Sequence, residues 1–364
     1  MGKERVVVAM SGGVDSCVAA WLLKNEGYDV VGITMKLWSD TTPNSTPTYS
    51  KGCCTLEDIE DARRVCQIIG APHYVMNFEK EFQSHVIDYF CDEYQRGRTP
   101  HPCLACNDKI KFDFLMQRVR ALDVDYIATG HYARLERLGQ EIRLLSGLDQ
   151  MKDQSYALFN LRPEQTKHLM LPIGWYSKKE IRDIAKSANL PVAEKPDSQD
   201  ICFIPQNDYR AFLSDRFTPT PGKIIDTQGK VLGHHQGIEN FTIGQRRGLG
   251  IQNESPLFVI SLDVQKSEVI VGSADGLLKN TLYATDVNYI SGTPPVTPIE
   301  VDAKIRYKSS RSKATIVPFG TEAKVCFEEP QRAVTPGQAV VFYVGEEVLG
   351  GGYIDDRIDC LEQI

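Results

Sequence analysis

Apolar β-branched runs alternate with helical patterns through the first half of the chain: Arg5 to Met10, Val14 to Glu26, Val30 to Met35 and Leu56 to Ile69. The rhythm continues through His73 to Asn77, Glu79 to Gln95 and Tyr126 to Thr129. Buried strands separated by helices predict βαβ units, hence an α/β fold with a parallel sheet and helices on both faces. Between Ser39 and Ser50 the stretch DTTPNSTPTY has no periodicity and predicts a mobile loop placed to cover a site beside the first strands. From Pro219 the texture changes to short alternating runs cut by Gly and Pro, as in PGKIIDTQGKVLG, LFVISLDVQKSEVIVG and QAVVFYVGEEVLGGGYI. That spacing predicts two small, mainly β domains. Boundaries near Pro205 and Leu278 give three expected domains, residues 1–205, 206–278 and 279–364, and SGTPPVTP at Ser291 to Pro298 reads as a loop or a linker.

Composition narrows the class of protein. Charged residues at 24% and hydrophobic residues at 42% over 364 positions describe a globular chain, and no apolar run approaches bilayer length. The opening MGKERVVVAM passes at once into SGGVDS, without a signal-peptide core, so a cytoplasmic protein without membrane contact is expected. Ten cysteines are too few for a disulfide scaffold of this length, and in a reducing compartment they are core, metal-binding or catalytic. A net charge of −7 argues against a generic polyanion binder, so any RNA contact must use local basic patches.

The segment VVVAMSGGVDS sets Ser11, Gly12, Gly13, Val14, Asp15 and Ser16 between a buried strand and a helix. Glycines let the backbone approach phosphate closely, and the helix N-terminus adds partial positive charge. The Ser11 and Ser16 hydroxyls can donate to the same oxygens. Asp15 would repel a phosphate unless a cation such as Mg²⁺ lay between. The bland reading, a glycine turn with a serine cap, accounts for only part of the hexapeptide. The loop has neither the GK[ST] ending nor the GxGxxG spacing of other nucleotide folds. It resembles the SGGxDS loop of pyrophosphatase-loop ATPases, which split ATP into AMP and pyrophosphate to adenylate an oxygen.

Cys17, Cys66 and Cys91 fall inside helical patterns and Cys326 and Cys360 in β segments, where packing is the default role. Cys53 and Cys54 are adjacent and carry no assigned role. Cys103 and Cys106 form a CxxC in RTPHPCLACNDKIKF, beside Arg98, Lys109 and Lys111, whose charge favours thiolates. Cys202 sits in KPDSQDICFIP, in a loop context where Asp197 and Asp200 either orient the segment and tune the thiol or simply form a turn. Three readings compete. A structural zinc site lacks a second ligand pair. A redox pair leaves the phosphate loop unexplained. Sulfur transfer uses both: one cysteine carries a persulfide whose terminal sulfur attacks an activated carbon, and a second thiol cleaves the remaining link as a disulfide. The histidines, including the pair His234 and His235, show no metal-ligand spacing.

In the order SGGVDS, CNDKIKF, TGHYA, KDQSYAL, DSQDICFI and FTIGQRRGLG, the chain resembles the bacterial tRNA-specific 2-thiouridylases over nearly its full length. The resemblance implies an adenine nucleotide alpha hydrolase-like catalytic domain and a barrel-like last domain that contacts tRNA. It makes Cys106 the nucleophile and Cys202 the persulfide carrier. It places ATP against Ala9 and Met10, the loop from Ser11 to Ser16, Met35 and Gly130. It sets His101, Pro102 and Cys103 around a flipped target base, and His131, Lys152, Asp153, Gln154, Arg306, Tyr307 and Gln338 toward tRNA. The implied partners are the anticodon loop, with its wobble uridine, and a sulfur-donor protein or relay; the implied cofactors are ATP and Mg²⁺. Where some members carry Asp, this chain has Cys103, so a rival to the persulfide has Cys103, Cys106 and Cys202 holding a [4Fe–4S] cluster with one iron open to sulfide.

The run KIRYKSSRSK brings Lys304, Arg306, Lys308, Arg311 and Lys313 together without an acid, with Tyr307 able to stack on a base, against the alternative of a solvated strand face. Arg246 and Arg247 form a second basic patch or a plain turn. Two other classes remain: an AMP-forming synthetase or amidotransferase acting on a small metabolite, and a non-catalytic RNA-binding or redox protein.

Overall fold

The computed structural model describes residues 3–38, 55–119, 123–139, 141–197, 201–204 and 208–357. The Ser39 to Ser50 loop and the positions of Cys53, Cys54, Asp200 and Cys360 lie outside the described residues. The first part contributes strands β1 (Arg5–Ala9), β2 (Asp29–Lys36), β3 (His73–Asn77), β4 (Tyr126–Thr129), β5 (Ala133–Leu138), β6 (Glu141–Ser146) and β7 (Leu169–Met170). Five of them form a parallel sheet in the order β3-β2-β1-β4-β7.

Alternation along β1 divides the interior in two, because successive side chains of a strand point to opposite faces. Val6 and Val8 enter a cluster with helix α1 (Val14–Asn25), helix α2 (Leu56–Ile68) and the helix Lys178–Ser187. Val7 and Ala9 enter a second cluster with Phe78, Phe82, Phe90 and Ile110. Helices therefore cover both faces, and β1 is buried along all but its first residue. The helical run expected from Glu79 to Gln95 is present, but its middle part, Gln83–Asp88, is wound as a π-helix.

Strands β8 (Gly222–Asp226), β9 (Val231–His235), β10 (Phe258–Asp263) and β11 (Glu268–Gly272) form a separate sheet in the order β10-β11-β8-β9. The remaining strands are β12 (Leu278–Tyr289), β13 (Ile299–Lys304), β14 (Ser312–Phe319), β15 (Glu322–Arg332), β16 (Ala339–Val344) and β17 (Glu347–Ile354). They close into a six-stranded barrel through the pairing of β12 with β17. The segment from Ser291 to Pro298 is the loop between β12 and β13.

One feature of the topology was not visible in the sequence pattern: the hairpin β5–β6, from the first part of the chain, pairs with β17 of the barrel at Leu144 and Val348. A shared apolar cluster seals this joint, with Leu104, Phe112, Tyr156 and Phe159 packed against Val341, Tyr343 and Val348. Polar ties run across it as well. The Tyr156 hydroxyl donates to the Ala339 carbonyl at 2.9 Å, and Asn288 Nδ2 donates to the Phe159 carbonyl at 2.7 Å. The glycines of β17 make the fit possible, since a Cβ on Gly351 would stand 2.9 Å from the Phe159 ring and 2.5 Å from the Val340 carbonyl.

Phe159 is fully buried at this joint. Phe159→Ala is expected to lower the stability of the unit formed by barrel and sheet by about 3–5 kcal/mol, the usual cost of removing a buried aromatic side chain. Urea unfolding followed by tryptophan fluorescence measures it, and a loss under 1 kcal/mol would show that the joint is not a packed core.

Candidate nucleotide and thiol site

Strand β1 ends at Ala9, Met10 continues it by donating its amide to the Ile33 carbonyl at 2.8 Å, and the chain then turns through Ser11, Gly12 and Gly13 into α1. Gly12 has φ +71°, a left-handed conformation, and a Cβ there would lie 2.2 Å from the Asp58 carbonyl oxygen. Only glycine meets both conditions. Gly130, just past the end of β4, is equally confined, because a Cβ on it would stand 2.6 Å from the Ser16 amide nitrogen. Ser16 is buried and its hydroxyl accepts from the Ser11 amide at 3.1 Å, while Ser11 is exposed. Gly13 opens α1 without a side-chain cap, so the positive end of the helix is left to an incoming anion. Met35 of β2 is buried in the cluster beneath Ala9.

Charges frame the loop. Asp15 accepts from the Tyr132 hydroxyl at 2.7 Å and from Lys178 Nζ at 2.7 and 2.9 Å. Burial and the Asp15 carboxylate push the Tyr132 phenol upward, so it stays protonated and donates. The cation that the sequence demanded beside Asp15 is thus supplied in this structure by a lysine. Lys178 Nζ also lies 2.8 Å from Asp197 Oδ1, and Asp197 is further held by Arg182 at 2.8 Å and Lys152 at 2.7 Å. Burial alone would raise the Asp197 carboxyl, but the Lys152 and Lys178 ammoniums outweigh it and hold the group down at about 2, against an ordinary 3.8. On the other side, Lys195 pairs with Asp58 at 2.7 Å and Asp61 at 2.6 Å. Asp58 also closes the capping box of α2, accepting from the Thr55 amide at 2.9 Å.

Sequence reasoning missed Lys178, Tyr132 and Lys195. Each acts on a group far away along the chain, and no local spacing marks it.

Among the described residues the cysteines separate by burial. Cys17, Cys66 and Cys91 are buried, and burial pushes their thiols up, that of Cys66 to about 11. Cys106 and Cys202 both border the apolar cluster around Phe82, Phe90 and Phe203, whereas Cys103 is exposed. Among the described residues no group of three or more His, Cys, Asp or Glu is placed to hold a metal ion.

Two of the residues expected to face RNA, Asp153 and His131, are buried. Asp153 is buried, and its carboxylate accepts from the Gly147 amide, the Ser155 amide and the Ser155 hydroxyl, each at 3.0 Å. His131 is buried between Thr129 Oγ1 at 2.7 Å and Lys111 Nζ at 3.5 Å, and burial holds its ring neutral. Lys152 belongs to the Asp197 network, Gln154 Oε1 accepts from the Tyr132 amide at 2.9 Å, and Gln338 Nε2 donates to the Thr99 carbonyl at 2.7 Å.

The basic run is likewise woven into the fold. Arg306 donates to the Arg332 carbonyl at 2.7 Å, Arg311 lies 3.6 Å from the Tyr343 ring centre, and Lys313 pairs with Asp302 at 3.0 Å. Tyr307, His101 and Tyr156 form an aromatic group with ring centres about 6 Å apart, and Lys304 lies over two of these rings. Pro102 opens the short helix Pro102–Ala105 beside it. Arg246 and Arg247 are exposed in a loop of the central sheet unit.

Comparison with known proteins agrees with this arrangement. Family models described as tRNA methyl transferase HUP domain, tRNA methyl transferase PRC-barrel domain and aminomethyltransferase beta-barrel domain match residues 4–206, 210–273 and 279–354. A protein of Geobacter metallireducens named tRNA-specific 2-thiouridylase MnmA is 51% identical over 97% of this chain and 97% of its own length. Proteins with the same name from Moorella thermoacetica and Carboxydothermus hydrogenoformans are 49% and 46% identical, over 96% and 98% of this chain and 99% of their own lengths in both cases.

Two outcomes follow from the geometry. Gly12→Ala is expected to weaken ATP binding by at least about tenfold, or 1.4 kcal/mol, by displacing the loop from α2, as read by isothermal titration; unchanged affinity would remove the loop from the nucleotide site. Asp197 has a folded value below its unfolded one, so its network stabilises the fold above about pH 4 and loses that contribution as pH falls toward 2. Asp197→Asn should therefore lower the urea midpoint at pH 7 and do so progressively less below pH 4, whereas a constant difference would contradict the assignment.

Proposed function

The chain belongs to the tRNA-specific 2-thiouridylase family, and from that premise we propose that it adenylates the C2 carbonyl oxygen of the wobble uridine and replaces it with sulfur carried by Cys202. It is a tRNA sulfurtransferase with a nucleotide-binding catalytic unit. That unit spans residues 1–205, with a small β unit over 206–278 and a tRNA-contacting barrel over 279–364. No helix among the described residues is long and apolar enough to cross a membrane, and the enzyme works in the cytoplasm.

The uridine C2 oxygen is a poor leaving group because resonance with two ring nitrogens strengthens its bond. Attack of that oxygen on the α-phosphorus of ATP breaks the bond to pyrophosphate and converts the oxygen into part of AMP. The loop amides from Ser11 to Ser16, the uncapped end of α1 and Lys178 meet the charge of the departing pyrophosphate. The terminal sulfur of a Cys202 persulfide then adds to C2, and AMP leaves with the oxygen. Cys106 attacks Cys202 Sγ, breaking the link to the transferred sulfur and forming a Cys106–Cys202 disulfide. A thiol reductant reopens the disulfide, and a sulfur-donor protein reloads Cys202.

The observation that carries this reading is the common setting of the two parts. The glycine loop ends β1, and Cys106 and Cys202 border the apolar cluster to which β1 contributes Val7 and Ala9. The aromatic group of His101, Tyr156 and Tyr307, lying between the catalytic sheet and the barrel, suits a base drawn out of a single-stranded anticodon loop.

Protein incubated with unmodified tRNA, Mg-ATP and a sulfur source should form 2-thiouridine, detected by mass spectrometry of nucleosides. Cys106→Ala and Cys202→Ala should each reduce it at least about a thousandfold, the scale for removing a reacting group. Wild-type thiolation that survives either substitution would remove the two-thiol route. AMP release that depends on a metabolite rather than on tRNA would instead assign a small-molecule synthetase.

A further inference from the structure

The segment that leads to Cys202 is tied to the phosphate loop from two sides. Lys195 reaches Asp58 and Asp61 of α2, and the Asp58 carbonyl lies directly over Gly12. Asp197 shares the Lys178 ammonium with Asp15, the acidic residue of the loop itself. These are contacts between residues remote in sequence, and neither is needed merely to close a turn around Cys202.

We infer that Lys178 is a positioning residue that couples nucleotide occupancy of the Ser11 to Ser16 loop to the setting of the Cys202 segment. The inference rests on the reading of that loop as the ATP site and of Cys202 as the sulfur carrier. An ammonium has three donors, and three oxygens engage Lys178: Asp15 Oδ1 at 2.7 Å, Asp15 Oδ2 at 2.9 Å and Asp197 Oδ1 at 2.8 Å. A polyphosphate bound in the loop adds several negative charges at the Asp15 end of this bridge. The ammonium can serve a phosphate oxygen only by giving up a carboxylate oxygen, and the added charge draws it toward the loop. Asp197 is the partner that can be released, because Lys152 and Arg182 still neutralise it. Nucleotide binding thus loosens one of the two ties between the Cys202 segment and the phosphate loop, and sulfur becomes deliverable when ATP is in place. The order protects the persulfide from discharge before the uridine can be activated.

The test is the rate at which iodoacetamide alkylates Cys202 in the full-length protein, read by peptide mass spectrometry with and without saturating Mg-α,β-methylene-ATP. In the wild type the nucleotide should raise the rate at least about fivefold, the lower end of ordinary coupling between two sites. In Lys178→Met the rate should be the same with and without nucleotide, with occupancy checked by titration calorimetry, and Lys178→Arg should keep the response. Asp197→Asn, which breaks the same bridge from the other end, should also abolish it. Arg182→Met, which cuts a tie of Asp197 that Asp15 does not share, should raise both rates and preserve their ratio. A wild-type response retained in Lys178→Met and Asp197→Asn, or no response in a nucleotide-saturated wild type, overturns the coupling. A wild type that binds no nucleotide overturns the underlying reading and the coupling with it.

Discussion

The structure turns on two places where backbone meets backbone with no room for a side chain. Gly12 lies under the Asp58 carbonyl, and Gly130 lies against the first turn of α1 at Ser16. Both contacts follow from the order of the parallel sheet. β1 and β4 are neighbours, so the segment leaving β4 passes over the start of the helix that leaves β1. The capping box of α2 fixes Asp58 above the glycine. A loop pressed between two backbones is held in one conformation before an anion arrives, and that preorganisation is what a phosphate site needs.

Around this core the charges are arranged for position more than for stability. Lys178 is nearly buried between two carboxylates, and the cost of desolvating such a group offsets much of its attraction to them. What the arrangement provides is registry: Asp15, Asp197, Lys152 and Arg182 cannot be satisfied unless the phosphate loop, the helix Lys178–Ser187 and the chain before Cys202 are in one relative placement. The barrel is held in a different way, by apolar packing around Phe159 and Tyr343 and by the pairing of β6 with β17. The aromatic group around Tyr307 therefore stands on a firm base beside the catalytic sheet.

Local pattern made some of this legible and left the rest hidden. The β1–loop–α1 unit could be read directly, because a continuous apolar run, two glycines and a helix start lie within a dozen residues. Strand segments such as QAVVFYV and EVLGGGYI declared themselves by alternation and glycine, whereas their closure into a barrel was implied only by the family resemblance, which the pairing of β12 with β17 bears out. The hairpin β5–β6 escaped notice because its apolar face is completed by β17, about two hundred residues later. Lys178 was invisible for the same reason: its partners Asp15 and Asp197 lie on either side of it in sequence and only the fold brings them together. Asp153 was set toward tRNA only by the family resemblance, yet the amides of Gly147 and Ser155 and the Ser155 hydroxyl hold its carboxylate inside.

The central claim is that the uridine oxygen itself is adenylated, and its fate tests that most directly. Unmodified tRNA carrying ¹⁸O at C2 of the wobble uridine would be thiolated by the enzyme with Mg-ATP and a sulfur donor, and the nucleotide products analysed by mass spectrometry. Adenylation predicts that the label appears in AMP in step with 2-thiouridine and is absent from pyrophosphate. Label found in inorganic phosphate or released to water, with unlabelled AMP, would contradict the account.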